Sequence, residues 1–479
     1  MRPELSAIVG LFMAVGPAWG NHETPFFVPW WSTIPFALLL ILISLLPVLT
    51  ASWWESLSHK LVVSGICSLP VLIYLATTHN HTSGASTALL GKSIEDFVAF
   101  LAMVGSLYIV SGGIALGGKI EGCPLTNTLI LGLGAILANL VSTVGASMLL
   151  IRPFLRANRG RKSWHIPVFF IFIVSNLGGL LLPLGDPPLF LGFLHGVDFL
   201  WTLRLWPQWL VANGLVLSLF FVLDTLHWRK SSPPSPLAKP DLGSAESQGE
   251  ANTPLERGDL EGGDLRLVGK RNFAFLAGIL LAVLLQSNQV TDWIQTHLGV
   301  FMKLHHPLIG AGLMVVCGLG SLAFTPAKIR HANAFSWHPL LEVAILFLGL
   351  FITMGPALVL LAQNAESFTG LSAFHYYWLT GLSSSLLDNA PAYMAFATVA
   401  AGSTEQIAHL AKTSPQILAA ISTAAVFFGA MTYIGNGPNF MVQAIAKEHH
   451  FPTPDFLKYI LISTVVLLPI LILVQGLFF

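Results

Sequence analysis

Two acidic residues stand where a chain rarely keeps a charge. Asp388 lies in Leu382–Met394, LSSSLLDNAPAYM, and Asp186 lies in Ser175–Leu189, SNLGGLLLPLGDPPL; both stretches are otherwise largely apolar. Each acid marks a break. Asp186 follows Gly185 and precedes Pro187 and Pro188, and Asp388 precedes Asn389 and Pro391. Proline suits the first turn of a helix, so each acid is placed to cap a half-helix that starts beside it. Ser or Asn would cap as well. A charge at membrane depth costs about 2.5–3.5 kcal/mol on insertion scales, which favours a functional acid over a plain cap. Neutral oxygens gather near the same breaks, on Ser142, Thr143, Asn176, Ser384, Ser385, Asn389, Thr432 and Asn436. Carboxylates among neutral oxygens suit a hard cation such as Na+, although any one of these hydroxyls or amides would also serve as glue between helices. No Lys or Arg falls at the expected midplane, because Arg152 lies toward the basic cluster Arg156–Lys162 and can snorkel to it. That disfavours a bare anion as cargo. A cation and a proton would compete for the two carboxylates, and competition suffices for obligatory exchange if the empty, charged site does not cross.

Such a site requires a membrane around it. The chain has 479 residues, 54% hydrophobic and only 10% charged, with zero net charge and a mean hydropathy of +0.73. A soluble protein could not hide so much apolar surface, and repeated apolar runs of roughly 17–25 residues point to an all-α polytopic membrane protein whose main partner is the lipid bilayer. Zero net charge suggests no nucleic-acid partner. Cys67, Cys123 and Cys317 are too far apart for a disulfide framework or a metal spacing, and read as packing residues. The 16 histidines fall mostly in expected loops, such as His79-Asn80-His81 and His449-His450, and read as solvated. No catalytic motif or nucleotide-binding glycine loop occurs, so the expectation is a secondary transporter, not an enzyme, with no cofactor beyond the transported Na+ and H+.

The order of the apolar runs gives four parts. Residues 1–32 form a signal peptide or an extra N-terminal helix, with Leu5–Trp19 as its apolar core. Residues 33–226 form a first transmembrane repeat, with spans at Thr33–Thr50, Leu61–Thr77 and Asp96–Gly117. Pro124–Leu155 is then interrupted at Ser142–Gly145 and Ile166–His195 at Gly178–Pro188, and Pro207–Leu226 closes the half. Glu95, Asp96 and Glu342 fall at span starts, where interfacial solvation accounts for them. Residues 227–272, with Ser-Ser-Pro-Pro-Ser-Pro, seven basic and seven acidic residues, read as a disordered cytoplasmic linker. Residues 273–479 form the second repeat, with Phe374–Val399 broken at Asp388–Pro391 and Leu418–Ala446 broken at Gly435-Asn436-Gly437-Pro438.

The halves echo each other. Ser142–Ser147 parallels Ser385–Ala390 at a spacing of 243, and Gly185-Asp186-Pro187-Pro188 parallels Gly435-Asn436-Gly437-Pro438 at 250. Each half reads as helix, broken hairpin, broken helix, helix, with Gly145, Gly185, Pro187, Pro391, Gly435, Gly437 and Pro438 as the breakers. Two inverted-topology repeats, each with a re-entrant hairpin and a discontinuous helix, place a binding site at the midplane. If the first hairpin opens inward and the second outward, inside loops carry 18 Lys and Arg against 4 outside, or 11 against 4 without the linker. That bias fits a bacterial-type inner membrane.

The stretches SNLGGLLLPLGDPPLFLGF, STVGASMLLIRPFLRANR, LSSSLLDNAPAYMAF and TYIGNGPNFMVQAIA together resemble the ion-transporter superfamily, nearest its citrate-transport branch, whose members carry the name sodium:proton antiporters and are similar to NhaD-type antiporters. The resemblance runs from about Pro35 onward, apart from the linker. It implies a scaffold-plus-transport fold, often a homodimer, working by an elevator motion, with Asp186 and Asp388 as ion-site acids. The expected function is therefore exchange of Na+ or Li+ for H+. The alternative is a Na+- or H+-coupled symporter of citrate or a dicarboxylate.

Overall fold

The computed structural model describes residues 28–78, 84–118, 120–230, 266–287, 296–297, 307–333 and 335–479. The Leu5–Trp19 segment, His79–His81 and linker residues 231–265 lie outside the described residues. The principal elements of the first half are α1 (Ile34–Leu49), α2 (Leu57–Thr77), α3 (Ala85–Ser111), β1 (Ala115–Gly117), α4 (Pro124–Ala157), α5 (His165–Ile173), α6 (Pro187–Leu194) and α7 (Trp206–Lys230). The second half holds β2 (Arg266–Val268), α8 (Asn272–Leu284), α9 (Pro307–Phe324), α10 (His338–Gln363), α11 (Ala373–Leu386), α12 (Asn389–Ala401), α13 (Pro415–Phe428), α14 (Gly437–Glu448) and α15 (Phe456–Phe478). Among the described residues, seven helices are long and apolar enough to cross a membrane.

α4 does not cross straight. A straight helix of its 34 residues would hold its ends about 50 Å apart. Instead the Gly122 N–H donates to the Ala157 carbonyl at 3.0 Å, Asn127 Nδ2 donates to Asn158 Oδ1 at 2.9 Å, and Leu150 packs on Gly134. The chain therefore doubles back, and the turn is Ser142, with φ 69°. Few L-residues adopt that angle; here the Ser142 hydroxyl accepts from the Val144 N–H at 3.3 Å and caps the return arm. The second hairpin joins α11 and α12 through Leu387 and Asp388. α11 comes in beside α15, with the Tyr377 hydroxyl donating to the Leu471 carbonyl at 3.1 Å, and α12 leaves beside α6, with Tyr393 on Gly192.

Both discontinuous helices are closed alike. Gly179 meets Gly185 across the first gap and Gly429 meets Gly435 across the second, so close that a Cβ on Gly435 would fall 2.7 Å from the Gly429 carbonyl oxygen. Carbonyls freed inside a bilayer need partners. In the first gap they come from α7, where Trp209 Nε1 donates to Gly178 O at 2.8 Å and Asn213 Nδ2 to Leu177 O at 3.2 Å. In the second they come from α15, where the Tyr459 hydroxyl donates to Ala430 O at 2.9 Å and Ser463 to Met431 O at 2.6 Å.

α3 and α10, which precede the two hairpins, run antiparallel. Gly105 meets Leu340, Phe100 stacks on Phe347 at 4.6 Å, and Gly355 meets Ser93, so numbers rise on one helix as they fall on the other. The repeats are thus inverted, and the fold is all-α apart from the short β1–β2 pairing. α1–α3 and α8–α10 pack chiefly among themselves as a scaffold; α4–α7 and α11–α15 form a second body that meets it mainly through α3 and α10, with a further hydrogen bond from Ser44 of α1 to Leu386 O at 2.8 Å. Among the apolar stripes that body exposes, Leu125, Leu129, Leu133, Ile136 and Leu140, each 44–63% exposed, run along the first arm of α4, and others lie on α7 and α15.

Several sequence expectations need correction. The expected span Asp96–Gly117 is a helix from Ala85 to Ser111 followed by a strand, so Asp96 is buried well inside α3 and is not an interfacial acid. Lys60, one of the cations counted in the inside loops, is buried in α2 and paired with Glu342 at 2.6 Å. Gly145 and Pro391 lie within return arms, past the turns themselves. His227–Lys230 continue α7, and Arg266–Val268 pair with Ala115–Gly117, so both read linker boundaries fall inside ordered elements. At the hairpin tips the capping residues are Ser142 and Asp388, 246 apart where the sequence echo suggested 243.

Candidate functional site

Both hairpin tips and both broken helices meet at Asp186. Its carboxylate is wholly buried. Oδ1 accepts from the Thr143 hydroxyl at 2.9 Å and from Asn436 Nδ2 at 3.0 Å, and Oδ2 accepts from Asn389 Nδ2. Each of the four elements supplies one of these residues: Thr143 from the first tip, Asn389 from the second, Asp186 and Asn436 from the two breaks. The backbone explains the convergence. Asp186 and Asn436 each precede a half-helix with proline in its first turn and share one extended conformation, φ −145° and ψ 146° against φ −155° and ψ 138°. The Thr143 N–H donates to Gly185 O at 2.9 Å, which ties the first tip to its own break.

The remaining expected residues are arranged around this centre. Asp388 is half-buried, accepts from the Ala390 N–H at 3.1 Å, and lies within electrostatic range of Asp186. Asn176 donates to Ile171 O and to Asn439 Oδ1, both at 2.8 Å. Its own Oδ1, and that of Asn389, are buried and accept no hydrogen bond. Four hydroxyls are turned to backbone instead. Ser142 caps Val144, Ser384 donates to Ala425 O at 2.6 Å, Ser385 to Leu382 O at 2.8 Å, and Thr432 to Ser385 O at 2.6 Å. Thr432 thereby staples the second tip to the second break. Pro187, Gly437 and Pro438 stand in the first turns of α6 and α14.

Asn439 was not foreseen. It donates to Gly429 O at 2.8 Å and Thr432 O at 2.9 Å while accepting from Asn176, and so holds the second break in shape. Its position beside Pro438 in the GNGPNF stretch was the available signal. A second missed cluster closes the mouth of the first hairpin. Asp224, wholly buried in α7, accepts from Arg161 Nη1 at 2.8 Å and Asn127 Nδ2 at 2.8 Å and meets His165 Nε2 at 2.9 Å. Arg161 also donates to Gly122 O at 2.8 Å and stacks on Trp228 at 4.6 Å. His165 is therefore a buried, partnered residue, not a solvated one.

A buried carboxylate is costly unless a counter-charge or a proton meets it. Among the described residues Asp186 has only neutral donors in contact, and one of these donors, Asn389, keeps its own amide oxygen without a donor. A carboxylate among neutral oxygens is the kind of ligand set a small hard cation takes. Among the described residues no group of three His, Cys, Asp or Glu side chains could hold a resident metal.

No curated protein matches the chain. Residues 26–479 match the family described as "Putative citrate transport". With that match over nearly its whole length and a fold of inverted, membrane-crossing repeats, the chain belongs to this family of membrane transporters.

Proposed function

We propose that the protein exchanges Na+ or Li+ for H+ across a bacterial-type inner membrane, with Asp186 holding cation and proton in turn. The observation that carries this reading is the complete burial of Asp186 among Thr143, Asn389 and Asn436, with no basic side chain bonded to it among the described residues. A proton neutralises the carboxylate; so does a cation, which would also draw on the free amide oxygen of Asn389. Asp388 supplies a second negative charge at the same centre. Alternating access then follows from displacement of the second body along α3 and α10, an elevator-type motion. We also place the segment between α7 and β2 in the cytoplasm and propose a homodimer as the working form.

The family description favours a second reading, symport of citrate or another carboxylate with Na+ or H+. Four helical segments begin at the site, and helix N-termini attract anions. One of these segments already carries Asp388 as its cap and another starts directly after Asp186, so an anion would need a cation bound first. Proton flux in everted vesicles from an antiporter-deficient host separates the two readings. A preformed gradient is challenged with Na+, Li+ and then citrate, in wild type, Asp186→Asn and Asp388→Asn. Dissipation by Na+ or Li+ alone, lost in Asp186→Asn, is the expected result. Silence toward cations with citrate-dependent proton movement would replace exchange by symport.

A further inference from the structure

Asp96 has no part in the site at Asp186, yet it is only 5% exposed. It lies on α3, in the scaffold, where Lys92 Nζ reaches Oδ1 at 3.0 Å. Across the boundary between the two bodies, His195 at the end of α6 brings Nε2 to 3.6 Å from Oδ2. The other ring nitrogen fixes the chemistry. His195 Nδ1 lies 2.9 Å from the Leu191 carbonyl oxygen, which can only accept, so Nδ1 carries the hydrogen. A neutral ring would then turn the lone pair of Nε2 toward a carboxylate, acceptor against acceptor. The contact becomes attractive when a proton occupies the space between them and the ring is an imidazolium.

We propose that Asp96 and His195 form a second proton-binding site, distinct from Asp186, which fastens α6 to α3 while the proton is bound. The charged surroundings are consistent with this. α3 contributes Lys92, Glu95 and Asp96; Glu405 acts on Lys92 from the turn at Thr404–Gln406; Asp198 follows on the loop after His195. The neighbouring helix Ile407–Thr413, whose Ala408 approaches Gly196, carries His409 and Lys412 on its exposed side. With the proton bound, the contact between Nε2 and Oδ2 is attractive and holds α6 against α3; without it, two lone pairs oppose each other across the boundary and the hold is lost.

The test is a double-mutant cycle in the purified full-length protein, read as thermal unfolding in detergent at about pH 5.5 and about pH 8.5, on either side of the imidazole range. His195→Gln should lower Tm by about 2 °C at the acid pH and by nearly nothing at the alkaline pH. Asp96→Asn should show coupling to His195→Gln only in acid, and His195→Lys should keep its Tm difference constant across both. In vesicles, His195→Gln should raise transport at acid pH relative to alkaline. Equal losses of Tm at both pH values, or no coupling between positions 96 and 195, would overturn the proposal. These unfolding readouts stand whether or not the cargo is Na+.

Discussion

Asn436 and Asp186 occupy equivalent positions in the two repeats, and Asn436 Nδ2 lies 3.0 Å from Asp186 Oδ1. Exchanging their identities tests whether one carboxylate at this point, from either repeat, is what transport needs. Asn436→Asp alone places two carboxylates in contact. At 3.0 Å and an effective dielectric of about 20, two unit charges repel by about 5–6 kcal/mol, so one of the pair must hold a proton or a cation at all times. The single variant should bind Na+ more tightly and turn over at least tenfold more slowly, because release then costs part of that repulsion. Asp186→Asn should abolish exchange. The double variant Asp186→Asn/Asn436→Asp restores one charge within about an ångström or two of its original place and should recover a measurable fraction of the wild-type rate. The assay is Na+-driven dequenching of a pH-sensitive dye in everted vesicles, with half-saturating Na+ recorded for each variant. A double variant that folds yet stays as inactive as Asp186→Asn would refute the claim that the repeats present equivalent positions to one ion.

Other consequences follow from the same contacts. Asp224→Asn should destabilise the protein by about 3–5 kcal/mol, because Arg161 and His165 would keep their burial without an anion; thermal unfolding checks this, and adding Arg161→Met should recover part of the loss. Asn439→Ala removes three hydrogen bonds and frees Asn176, so exchange should fall at least tenfold while folded yield, followed by gel filtration, drops modestly. The Thr126 hydroxyl and nearby backbone N–H groups hold the Cys123 thiol below its ordinary range, so its labelling should rise at lower pH than that of an ordinary thiol, which titrates near about 8.5. An impermeant maleimide should reach Cys123 at the hairpin mouth in everted vesicles and spare buried Cys67; labelling only in right-side-out vesicles would reverse the proposed orientation.

The breaks were legible because Gly, Pro and Asp inside apolar runs have few other uses. The pairing of Gly185-Asp186 with Gly435-Asn436 survives in backbone angles and in the matching glycine closures. The hairpin register was misread by three residues. Small residues fill both tips, and a slip of almost one helical turn leaves their pattern nearly unchanged; only the capping hydrogen bonds of Ser142 and Asp388 fix it. Asp224 and Asp96 were hidden for another reason. Asp224 lies near a span end and Asp96 reads as the start of one from hydropathy alone, places where a charge is ordinarily solvated, and their decisive partners Asn127, His165 and His195 come from 59 to 99 positions away. In sequence the two acids look alike, and Asp388 has the more polar flanks than Asp186. The structure gives Asp186 the greater burial and the larger set of partners.

The leucine-rich stripe on the first arm of α4 ties the body that carries Asp186 to the bilayer itself. On the proposed elevator motion, acyl chains must follow it whenever that body shifts along the membrane normal. Each ångström by which the stripe leaves the hydrocarbon layer costs a fraction of a kcal/mol, so a shift of one helical turn, about 5.4 Å, carries a cost comparable to that of a single hydrogen bond. Lipid thickness thereby becomes a setting of the machine: a bilayer matched to one end of the stroke slows departure from it, and one of intermediate thickness lets both ends be reached with the least resistance.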